Sequence, residues 1–182
     1  MQSSTRAKLI DSATHLVRSR GYSAFSYADL SEAVGIRKAS IHHHFAAKAD
    51  LGVALVAAYA EDILLKLTDI DRDIPDTLDR IAAYAALYRA GLAQGQGCMC
   101  GVLAAELGAL PPRLKLAVRQ FFLLNLAWLK RTLAETDAPD QTARTILSTV
   151  QGALTLALAL GDPAAFDQAE QGLLSGLRAR QA

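Results

Sequence analysis

The chain has 182 residues and is 52% hydrophobic but only 6% aromatic, so its apolar mass is largely Ala and Leu. That composition favours helix, argues against an all-β domain, and suffices for one large domain or a small module joined to a larger one. The near-neutral total of 19 Lys+Arg against 18 Asp+Glu divides unevenly: residues 1–50 hold seven bases and four acids, whereas the rest hold 12 bases and 14 acids. A basic head on a mildly acidic body is the asymmetry expected where only the head meets a polyanion.

Helical periodicity recurs along the chain without a fixed repeat or an alternating strand pattern, and it predicts an all-α fold of about nine helices. The first covers 5–20, with Leu9, Ile10, Ala13, Leu16 and Val17 on one face, Ser3, Ser4 or Thr5 as cap and Gly21 as stop. Two short helices follow at 27–34, capped by Ser26, and at 37–44, separated by Gly35 and Ile36. An amphipathic stretch from Lys48 to about Leu67 then joins head to body. It is expected to end in the charged segment 69–75, the best internal boundary.

Further helices are expected over 76–93, 101–110, 112–135, 141–160 and 163–180, with a flexible glycine-rich linker at 94–100. Pro111, Pro112, Pro139 and Pro163 stand where helices should start. The helix over 112–135 carries two apolar stripes, one through Leu114, Ala117, Val118, Phe121, Leu124 and Trp128, the other through Phe122, Leu126, Leu129 and Leu133. A helix apolar on two sides lies between neighbours. In 141–160, Gly152, Ala153 and Ala157 permit close helix approach, and so much apolar surface suits self-association or a large monomeric core.

Residues 28–45 read ADLSEAVGIRKASIHHHF, a short helix, a glycine-containing turn and a second short helix. Leu30, Ala33, Val34, Ile36 and Ile41 would face inward, leaving Arg37, Lys38, Ser40, His42 and His43 outside. In a helix-turn-helix the second helix enters the major groove and the first crosses the backbone. Arg37 and Lys38 can reach phosphate or guanine, and Ser40 and the imidazoles suit bases or phosphate. The same pattern also fits a generic helical hairpin with a solvated polar face. His42, His43 and His44 point about 100° apart on a helix and cannot converge on one ion, so no metal is expected.

With Gly21-Tyr22, Ser26, Leu30, Ala33, Gly35-Ile36, Lys38, Ile41, His44-Phe45, Lys48 and Leu51 in place, residues 1–51 resemble the DNA-binding domain of TetR-type transcriptional repressors. The resemblance implies an all-helical homodimer with a DNA-binding domain at 1–47 and a ligand-binding and dimerisation domain at 48–182. It implies double-stranded operator DNA and a small-molecule inducer as partners, with no cofactor. Carried over position by position, it assigns phosphate contacts to Ser26 and Tyr27, base and phosphate contacts to Arg37, Lys38, Ala39, Ser40, His42 and His43, and a phosphate contact to Lys48. The chain departs from the pattern at His42 and His43, where tyrosines are usual, and at Ala46-Ala47, which replaces a polar or Pro-containing cap.

Cys98 and Cys100, two apart, cannot form a multi-bridge framework. The chain start lacks a continuous apolar signal segment, and the most apolar run, 147–160, is short of a membrane span and interrupted by Gln151, so a cytosolic protein without a membrane partner is expected. The segment 97–107 resembles the start of the sixth helix in a TetR branch that includes electrophile- and oxidant-responsive repressors, with Cys98 at that branch's cysteine position. A helix N-terminus stabilises thiolate, although no Lys or Arg occurs between Arg89 and Arg113 and Glu106 would oppose ionisation if it faced the thiols. The cysteines would otherwise be small buried hydrophobes, or two ligands of a thiophilic ion lacking an identified third.

Tyr84, Tyr88, Leu103, Leu107, Phe121, Asn125 and Trp128 fall on the helices that surround the pocket in TetR-like proteins; each is also an acceptable core residue. A thiol enzyme would need a base beside Cys98 or Cys100, and no Cys–His pair is apparent, so no enzymatic activity is expected. The expected protein is a repressor released from a pseudo-palindromic operator by a small molecule, through thiol modification at Cys98/Cys100 or through a non-covalent apolar ligand.

Overall fold

A computed structural model describes residues 4–180; among them are nine α-helices, two short 3-10 turns and no strand. The helices form two compact units: residues up to Glu61 with Met99–Phe121, and Asp62–Cys98 with the residues from Phe122 onward.

In the first unit, α1 (Thr5–Arg20) buries Leu9, Ala13 and Val17, the i, i+4, i+8 stripe of an amphipathic helix. Ser4 caps it by accepting the Ala7 N–H at 3.3 Å, and Gly21 ends it at φ 89. Ser3, the other serine offered as cap, lies outside the described residues. α2 (Tyr27–Val34) opens with a complete capping box between Ser26 and Asp29 and stops at Gly35, whose φ of 71 is open to glycine without strain. α3 (Lys38–His44) starts one residue later than its pattern suggests because Arg37 is extended, at φ −71 and ψ 147, and serves as the capping residue. Ala33 is exposed where the periodicity puts it inside; Leu30 and Ile41 are the fully buried residues of the two helices.

α4 (Lys48–Asp73) is longer than expected and continues through the charged segment. Arg72 pairs with Asp69 and Asp73, converting a run of acids into compensated helix surface. The Arg80 guanidinium donates to the carbonyls of Ile74 and Asp71, satisfying acceptors at the helix end. The Ala46-Ala47 start is fixed despite lacking a polar cap, since the Asp50 carboxylate accepts the Ala47 N–H at 3.1 Å.

α5 (Thr77–Arg89) is capped by Asp76 and followed by a 3-10 turn, Leu92–Gln94. The stretch expected as a flexible linker is instead buried from Gln96 to Cys100, and α6 (Met99–Ala105) begins inside it. A bond from the Gln96 N–H to the Gly91 carbonyl at 3.0 Å folds this stretch back on itself. α6 gives way to a 3-10 turn, Leu107–Ala109, before α7 (Pro112–Thr132).

In the second unit, α8 (Pro139–Leu160) and α9 (Ala164–Arg178) pack on each other, and the Arg89 guanidinium forms a forked ion pair with Asp167 that ties α5 to α9. At 22 residues α8 is long and apolar enough to meet the length and composition of a membrane span, which the 147–160 run alone does not. Ile146, Val150, Leu154 and Ala157 are nevertheless buried against neighbouring helices.

Candidate nucleic-acid interface and a buried polar cluster

The second helix of the pair has one buried residue, Ile41, while Arg37, Lys38, Ala39, Ser40, His42, His43 and His44 are all exposed. One apolar anchor holds the helix to the head, and two cations stand at its N-terminal end. His42 is oriented on two sides: its Nδ1 lies 3.2 Å from the Ala46 carbonyl oxygen, and its ring packs edge-on against Tyr27 at 4.8 Å. His43 and His44 make an edge contact with each other at 5.6 Å. No group of three or more His, Cys, Asp or Glu is placed to hold a metal ion among the described residues.

Ser26 and Tyr27 are engaged within the head. The Ser26 hydroxyl donates to Asp29 at 2.6 Å while accepting the N–H groups of Ala28 and Asp29. These bonds and the nearby Arg20 hold the Asp29 carboxyl below its usual range. The Tyr27 hydroxyl donates to the Phe45 carbonyl at 3.0 Å, and burial, with the Asp50 charge, pushes its pKa up to about 12.

Lys48 is turned toward the protein. Its ammonium donates to the carbonyls of Tyr22 and Phe25 and lies 4.5 and 4.3 Å from the centres of their rings. Burial lowers its pKa against the opposing pull of Glu106 and Asp29. Glu106 has no sequence signal, since it stands more than eighty residues from its partners: its carboxylate accepts the backbone N–H groups of Tyr22 at 2.7 Å and Ser23 at 2.8 Å.

Of the residues suggested for a ligand pocket, the second unit brings four together. The hydroxyls of Tyr84 and Tyr88 both donate to Asn125 Oδ1, at 3.1 and 2.7 Å, and the Tyr84 ring stacks on Trp128 at 5.5 Å. All four side chains are buried, and burial raises the Tyr84 pKa well above the ordinary phenol value. The Trp128 indole N–H, also buried, has no acceptor among the described residues. In the first unit Leu103 is buried and Phe121 packs on Tyr59 at 5.4 Å, whereas Leu107 is 41% exposed. Cys98 directly precedes α6 and Cys100 lies in its first turn; both are thiols and both are buried.

Residues 9–55 match the family model for bacterial regulatory proteins of the tetR family, and residues 77–173 match that of the tetracyclin repressor-like C-terminal domain. The chain is similar to the transcriptional regulator AcuR of Cereibacter sphaeroides, 31% identical over 105 residues, which are 54% of this chain and 47% of that protein. The chain thus aligns with about half the length of that relative. It is similar throughout to a solved TetR-family transcriptional regulator from Agrobacterium tumefaciens, at 33% identity and a TM-score of 0.89 over 93% of this chain and 95% of that one. A TetR transcriptional regulator from Legionella pneumophila is 28% identical, with a TM-score of 0.90 over 94% and 96% of the two chains.

Proposed function

Because the chain belongs to the TetR family of bacterial regulatory proteins, we propose that it is a homodimeric repressor that reads a pseudo-palindromic operator with α3 and releases it when a small molecule engages the body. The domain division proposed is a reader at 1–47 and a ligand-binding and dimerisation part at 48–182. The observation that carries this reading is the exposure of Arg37, Lys38, Ser40, His42 and His43 on a short helix held by the buried Ile41. Such a helix supplies base contacts from its outer face and phosphate contacts from its cations. Ser26, Tyr27 and Lys48 contact phosphate in this reading and also hold the shape of the head, since both hydroxyls and two of the three ammonium N–H groups of Lys48 bond within it. A mobility-shift titration with duplexes from the region upstream of the chain's own gene, against random duplex, tests the reading. Equal affinity for both would overturn it.

For release, two chemistries are in competition. In the covalent one, an electrophile or oxidant modifies Cys98 or Cys100 at the start of α6. The burial of both thiols favours the second, a largely apolar ligand with a hydrogen-bond acceptor for the Trp128 indole N–H and with structural cysteines. DNA release by N-ethylmaleimide that vanishes in Cys98→Ser and Cys100→Ser would decide for the thiols; release insensitive to both substitutions would decide for the non-covalent ligand.

A further inference from the structure

The loop between α1 and α2 is gripped on both of its backbone faces. On the N–H side, the two oxygens of Glu106 take the consecutive amides of Tyr22 and Ser23. On the carbonyl side, the Lys48 ammonium takes Tyr22 and Phe25. The grip is also tight sterically. A Cβ on Gly21 would collide with the Glu106 carboxylate, and one on Gly52 of α4 would come within 2.8 Å of Leu114 and 3.1 Å of Tyr22. Glu106, Leu114 and the three head helices lie in one compact unit, in which α6 packs on α1.

Three residues beyond Ser23 comes Ser26, which caps α2, and the next residue, Tyr27, bonds the carbonyl that ends α3. Two sets of hydrogen bonds, Glu106 to the amides of Tyr22 and Ser23 and Tyr27 to the Phe45 carbonyl, are therefore joined by only four residues of backbone, which links the end of α6 through the loop to the reading helix. Apolar contacts along such a path can slide, but one planar carboxylate accepting two successive amides fixes both distance and direction. Moving α6 either drags the loop or breaks two charge-assisted bonds together.

We infer that Glu106 is a positioning residue for DNA reading, coupling the placement of α6 to the α1–α2 loop and thereby to α2 and α3. This rests on the DNA-binding reading above. Coupling between two sites is reciprocal, so DNA on the head must act back on α6 by the same free energy, and no inducer is needed to detect it.

The test is amide hydrogen exchange on the full chain with and without a saturating duplex that the wild-type protein selects from a random library. In the wild type, duplex is expected to slow exchange several-fold at Tyr22 and Ser23 and across 100–107. Glu106→Gln keeps one acceptor oxygen and turns a donor toward the second amide. Its Tyr22 and Ser23 amides should exchange faster, and its 100–107 segment should no longer respond to bound duplex, while exchange in α8 and α9 stays as in the wild type. Should Glu106→Gln fail to fold, Glu106→Asp, shorter but still charged, should show a reduced response. An undiminished response in the variant overturns the inference, as does a wild-type α6 indifferent to bound duplex. Failure of the wild type to bind any duplex, scored separately by fluorescence anisotropy, overturns the DNA-binding reading and this inference with it.

Discussion

The hydroxyl of Tyr27, the first residue of α2, donates to the carbonyl of Phe45, the residue that ends α3, at 3.0 Å. This bond joins the outer ends of the two helices and helps fix the angle at which α3 is presented. Tyr27→Phe keeps the ring that supports His42 but removes the bond. It should cost about 1 kcal/mol of stability and weaken operator binding. Thermal melts and an anisotropy titration check the two effects; unchanged values in both would show the bond to be inert.

Arg37 and Lys38 provide the positive end of the reading helix. Replacing both with Ala should weaken DNA binding and flatten its salt dependence by about one to two units of log–log slope, as expected for one or two lost phosphate contacts. Titrations at several salt concentrations measure this. An unchanged slope with unchanged affinity would remove α3 from the interface.

Because a carbonyl only accepts, the contact between His42 Nδ1 and the Ala46 oxygen places the imidazole proton on Nδ1. Neutral His42 then presents Nε2 as an acceptor, suited to the amino group of adenine or cytosine and unsuited to phosphate. Nitrogen-15 chemical shifts of the uncharged imidazole should report a protonated Nδ1 and a bare Nε2; the opposite tautomer refutes the assignment.

Asn125 Oδ1 serves two buried phenols at once. Asn125→Leu leaves both hydroxyls without that acceptor and should destabilise by about 2–4 kcal/mol, lowering the melting temperature by roughly 5–15 °C. Tyr88→Phe, which removes one donor and leaves no orphan phenol, should cost about 1 kcal/mol. A smaller loss in Asn125→Leu than in Tyr88→Phe would contradict a shared acceptor.

Burial alone would raise the Glu106 pKa, but hydrogen bonds from Ser23 and Tyr22, helped by the Lys48 charge, outweigh it and hold the carboxyl below its ordinary value of 4.5. A depressed folded-state pKa stabilises the fold fully above the unfolded value and progressively less as pH falls through the folded one. The stability difference between wild type and Glu106→Gln should therefore be constant above about pH 5 and shrink in more acid solution. Melts from pH 3 to 7 measure it, and a difference that grows on acidification would reverse the assignment.

The helical composition, the positions of α1 and α2, the placement of the turn at Gly35 and the cations opening α3 were legible in the sequence because each depends on neighbours within a few residues: caps, glycine stops and apolar spacing. The end of α4 was not. Asp69, Arg72 and Asp73 look like a boundary until their ion pairs, with Arg80 on the carbonyls beyond, are in place. Nor could the sequence tell that the 96–100 stretch is buried or that Leu107 is exposed, since both depend on what packs around them. What only the tertiary structure decided is the work of residues whose partners are remote in the chain. The Lys48 ammonium reaches two loop carbonyls more than twenty residues away, and Glu106 meets the amides of Tyr22 and Ser23 across more than eighty residues. Local patterns fix helices because helical hydrogen bonds span four residues; what a charged side chain finds to bond is set by folding.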